Sequence, residues 1–269
     1  MIARHALARG ISQNGRFVTD GWTLPHGVEP KSDQPSEVSA AMWVAALDGQ
    51  SLGLIRGWRD LRDGSGSPYP SLLTRPAATE AMFHTALDLI RHGEYVEAFR
   101  KASSIAIAIN EDAVDARDDN RWATWIRPVW EALANRQIRF DILPAGAVPR
   151  AMVTRYDVLV AIDRPSANRK ELMISIERAL ANSAGGGERA QLLGDDGTLA
   201  QDIFVRLGRT PDGKQCIALG NLTGRSRVVR LVGSAETELL QDVLSDEVVS
   251  PSQGKIRLSP WQVMLLWPR

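Results

Sequence analysis

A change of period at residues 183–187 (SAGGG) constrains this chain more than any other feature. Upstream of it, short apolar runs alternate with helical stretches. Downstream, apolar residues recur at every second position in short runs, with no helix between them. A helix face repeats every 3.6 residues and a strand face every two, so the two patterns build different packing surfaces. The chain therefore divides into an α/β part and an all-β part, joined at a flexible Gly- and Ser-rich link. At 269 residues it is long enough for more than one core.

The α/β part divides again. In residues 1–101 the order is strand (15–19, GRFVT), helix (35–50), strand (52–58, LGLIRGW), loop (60–70) and long helix (75–99). Ser36 suits the N-cap of the first helix and Gly49 its end, with Val38, Ala41, Met42 and Ala45 on one face. Pro76 suits the first turn of the second, with Met82, Ala86, Leu89 and Ile90 as its stripe. Alternation of this kind implies parallel strands with helical crossovers. In residues 102–184, IAIAI (105–109), 138–143 and YDVLVAI (156–162) read as strands of an open parallel layer resembling a doubly wound sheet. Between them Trp122, Trp125, Ile126, Val129, Trp130 and Leu133 mark one face of a helix over 121–137, and a further helix is expected over 170–181. In residues 185–269 six short strands are expected, at 203–207, 216–219, 227–232, 238–243, 255–258 and 263–267, as a small antiparallel sandwich. Pro211-Asp212-Gly213-Lys214 is the turn between the first two.

Charge and composition exclude several functions. Lys plus Arg equals 32 and Asp plus Glu equals 32, so nothing favours nucleic acid or an anionic membrane as partner. The opening MIARHALARG does not read as a signal peptide, and no apolar run approaches the ~20 residues of a membrane span, so a cytoplasmic protein is expected. A single cysteine rules out an internal disulfide and a cysteine-rich metal site. His84 and His92 lie ~12 Å apart along their helix, too far to share an ion. The acidic run Glu111, Asp112, Asp115, Asp118 and Asp119 lacks the spacing of a calcium loop, so neither metal nor cofactor is expected. No Gly-x-Ser-x-Gly elbow occurs, neither glycine-rich stretch completes a phosphate loop, and Cys216 reads as a small core hydrophobe.

Paired carboxylates remain. Retaining glycosidases place an acid/base and a nucleophile ~5–5.5 Å apart, and parallel barrels carry such groups at the C-terminal ends of their strands. Asp20, in GRFVTDGW, fits one such end, and Arg56-Gly57-Trp58-Arg59-Asp60 follows the next strand. From local sequence alone, Asp20 and Asp60 read first as loop residues that cap the elements beside them. Eight tryptophans are many for this length, and serve as core filler or as sugar-stacking platforms.

Taken in order, these pieces resemble the C-terminal part of the β-galactosidase-type glycoside hydrolases that carry a trimerisation domain. GRFVTDGW resembles the seventh barrel strand, whose end bears the nucleophile. Residues 39–61 (SAAMWVAALDGQSLGLIRGWRDL) resemble the following helix and eighth strand, and IAIAINEDA and YDVLVAID resemble strands of the amidotransferase-like trimerisation domain. IRLSPWQVMLL resembles the closing strand of the small β domain. The resemblance implies terminal β/α units of a barrel over 1–101, a flavodoxin-like or amidotransferase-like domain over 102–184 without its catalytic cysteine, and a C-terminal β-sandwich over 185–269. It implies a carbohydrate substrate or ligand and a homotrimer. Asp20 takes the nucleophile position, where the family has glutamate. Trp22 and Trp58 would contact sugar, and Arg56 or Arg59 would hold the nucleophile's charge.

An aspartate at that position sits ~1–1.5 Å short of where glutamate reaches, a displacement worth two orders of magnitude in rate. The family's acid/base glutamate belongs to the fourth barrel strand, which these residues do not include. The expectation is a truncated glycosidase-derived chain, silent on its own, that retains assembly and accessory domains. One alternative is a subunit of a split retaining glycosidase, with a partner chain bringing the rest of the barrel. Another is a non-catalytic carbohydrate-binding or scaffold module. An amidotransferase-like activity is remote, given the cysteine count.

Overall fold

The computed structural model describes residues 17–22, 35–55, 76–99, 105–109, 137, 139–144, 156, 158–162, 191–200, 203–232, 239–250 and 255–269. The first unit is β1 (Phe17–Trp22), α1 (Pro35–Leu47) and β2 (Gln50–Ile55), with β1 and β2 parallel. A helix must carry the chain back between parallel neighbours, which is why 35–47 is helical and ends in a turn at Gly49, whose φ of 104° only glycine adopts freely. The expected long second helix is two: α2 (Pro76–Arg91) and α3 (Gly93–Glu97), divided at His92 (φ −102°, ψ 21°). The division redirects the chain, so that Val96 and Phe99 bury against a different neighbour from Ala78 and Met82.

β3 (Ile105–Ile109), β4 (Asp141–Pro144) and β5 (Val158–Ile162) form a parallel sheet in the order β4-β3-β5. Ala106, Ile107, Ile142, Leu143 and Val160 are buried in it. Tyr156 closes one end by donating its hydroxyl to buried Asp141 at 3.1 Å. The tryptophan-rich helix expected over 121–137 and the helix expected over 170–181 lie outside the described residues, apart from Gln137.

The all-β part holds eight strands among the described residues, two more than expected: β6 (Gln191–Gly194), β7 (Ile203–Arg209), β8 (Gln215–Asn221), β9 (Arg227–Val232), β10 (Leu240–Asp242), β11 (Val248–Val249), β12 (Ile256–Leu258) and β13 (Val263–Pro268). They pair antiparallel in two sheets, β11-β10-β13-β8-β7 and β12-β9-β6. Ile217, Leu219, Met264 and Leu266 from the larger sheet meet Leu192, Val229, Leu231, Ile256 and Leu258 from the smaller. The intervening residues Phe204, Cys216, Ala218, Val263 and Leu265 turn the other way and pack on Ala40, Trp43, Val44, Leu47, Val96 and Phe99 of the helical part. The larger sheet is therefore buried on both faces, which explains why CIALG and VMLL are apolar without alternation.

This second interface also explains α1. Val38, Ala40, Trp43, Val44, Ala45, Ala46 and Leu47 are all buried, nearly the full circumference, because α2 covers one side and the sheet another. Gly208 allows a close approach: a Cβ there would lie 2.6 Å from the Ala98 carbonyl oxygen and 2.7 Å from the Phe99 ring. Gln137 ties the parallel layer to the sandwich. Its amide donates to the carbonyls of Leu192 (3.0 Å) and Ala200 (3.1 Å) and accepts from the Leu192 N–H (2.7 Å), capping the β6 hairpin.

Candidate active site

Backbone pairing places Asp20 opposite Leu54 and Trp22 opposite Ile55, with a register shift between Asp20 and Trp22. Both strands end at this level, so Asp20 stands one pairing step from the carboxyl end of a parallel pair. That rim is where β/α folds collect their functional groups, and irregular pairing recurs beside active sites. Of the other anticipated residues, Trp22 shares β1 with Asp20. Arg56, Trp58 and Arg59 follow β2 and lie outside the described residues, as does Asp60.

In a β/α unit the crossover helix starts at the same rim where the preceding strand ends. Glu37 lies in the first turn of α1, and partial burial pushes its carboxyl up from its ordinary value. Loss of hydration disfavours the charged form, which is the sense of this shift. Sequence reasoning passed over Glu37, because the signal is burial, which local sequence does not carry.

The opposite end of the unit is held by an ion pair that sequence reasoning also missed. Asp48, in the turn between α1 and β2, is fully buried and accepts from Arg206 Nε at 3.1 Å and Nη2 at 2.6 Å. Arg206 also donates to the Val205 carbonyl at 2.9 Å and lies 4.4 Å from the centre of the Phe204 ring. The pair sits beside the start of β2, whereas Asp20 pairs four residues further along, about 13 Å of strand. It secures the scaffold beneath the rim, away from Asp20. The one available signal was a lone arginine inside the apolar run IFVRLG.

Cys216 is fully buried between the larger sheet and the helices, and burial pushes its thiol up from 9.0 to about 12. It is a core residue and no nucleophile at neutral pH. Native protein is expected to resist iodoacetamide at pH 8 and to react once unfolded in urea. The folded thiol holds its proton where the unfolded one has lost it. Its stabilising contribution is therefore full below about pH 9 and falls as pH rises toward 12. Alkylation of native protein at the unfolded rate would show that the thiol is open to solvent. Among the described residues no group of three or more His, Cys, Asp or Glu could hold a metal ion, and no helix is long and apolar enough to cross a membrane.

The sequence matches no protein-family model and no curated protein. In three dimensions the chain is similar to the apo crystal structure of the exo-carrageenase GH42 from Bacteroides ovatus, with a TM-score of 0.71 at 13% sequence identity. The likeness covers 98% of this chain and 43% of that one. At this identity it establishes a GH42-like fold, and the chain spans less than half the length of the enzyme it is compared with.

Proposed function

We propose that this chain is a glycoside-hydrolase-derived protein of the β-galactosidase type. Residues 1–101 would form the last β/α units of a barrel, 102–184 an amidotransferase-like trimerisation domain and 185–269 a closing β domain. The observation that carries this reading is the combination of two facts. The fold likeness to a GH42 enzyme runs across nearly the whole chain, and its parallel β1-α1-β2 unit sets Asp20 at the rim. Asp20 occupies the nucleophile position, with Trp22 and Trp58 on the sugar and Arg56 or Arg59 beside the carboxylate.

Retaining cleavage takes an acid/base as well, ~5–5.5 Å from the nucleophile. On this reading that second carboxylate comes from barrel strands outside these residues. The chain alone assembles, as a trimer, and does not turn over substrate.

The test is light scattering on the purified chain, with nitrophenyl-β-galactoside and carrageenan oligosaccharide assays on the same sample. Trimer mass without turnover is the expected result. Turnover abolished by both Asp20→Asn and Glu37→Gln would overturn the silent reading, since both carboxylates would then lie within this chain. Saturable sugar binding without turnover, unchanged by Asp20→Asn, would instead identify a binding module.

A further inference from the structure

We draw no further inference here: the strongest candidate, the outer face of the three-stranded β12-β9-β6 sheet with its exposed Arg230 and Arg257, carries nothing, because the ion pair between Lys255 and Asp195, at 2.9 Å, already joins the ends of its two edge strands and nothing in the structure shows what covers it.

Discussion

Arg206→Met is expected to lower the unfolding free energy by about 3–5 kcal/mol, the loss typical when one partner of a buried ion pair is removed. Asp48 is fully enclosed and Arg206 90% so, so the surviving carboxylate would be left in a region that water does not reach. Methionine retains the apolar stem but not the guanidinium that lies over the Phe204 ring, so the loss includes that contact as well as the ion pair. The double variant D48N/R206M removes both charges and is expected to regain more than half of the loss. Urea unfolding followed by tryptophan fluorescence measures both. A single-variant loss below about 1 kcal/mol would mean that the pair behaves as a surface one. The assignment of Arg206 as the clasp between sandwich and β/α unit would then fail.

Phe99→Ala is expected to be equally severe, about 3–5 kcal/mol, through the cavity it opens. Phe99 is fully buried where three elements meet. Its ring stands edge-on to Trp267 of β13, with centroids 6.4 Å apart, and lies against Gly208 of β7. Its carbonyl accepts from Arg139 at 2.8 Å, just ahead of β4. Phe83→Ala, the same exchange on an exposed face one helix earlier, is expected to change stability by no more than about 0.5 kcal/mol. If the two variants unfolded at the same urea concentration, the seam between helices and sandwich would contribute nothing to global stability.

Both experiments probe contacts that span the chain. Asp48 and Arg206 are 158 residues apart, and each is unremarkable in its own stretch: one ends a helix, the other interrupts a strand. The same holds for α1. Its sequence predicts a helix with one apolar face, and tertiary packing buries it on two sides because the sandwich docks on a second one. The expected stripe on the next helix included Ile90, which is 78% exposed, while Thr85, absent from that stripe, is buried. An apolar residue on a helix records that some neighbour suits it, and not which neighbour is present.

The sequence by itself determined the elements and their classes: a parallel β-α-β unit, a parallel layer, a break in period and antiparallel strands beyond it. These follow from local rules, the 3.6 and 2.0 periods, glycine at turns and the continuous apolar runs of doubly covered strands. It also marked Asp20 as a carboxylate at a strand end and Cys216 as a core residue. The short strands β6 and β11 escaped it, since four- and two-residue segments carry too little period to read. Only the tertiary structure decided that the larger sheet is a shared floor, buried on one face by its partner sheet and on the other by α1 and α3. It alone exposed the second face of α2 and raised the Glu37 carboxyl. The physical reason is common to all three: burial and desolvation depend on which surfaces meet, and residues far apart in the chain set that jointly.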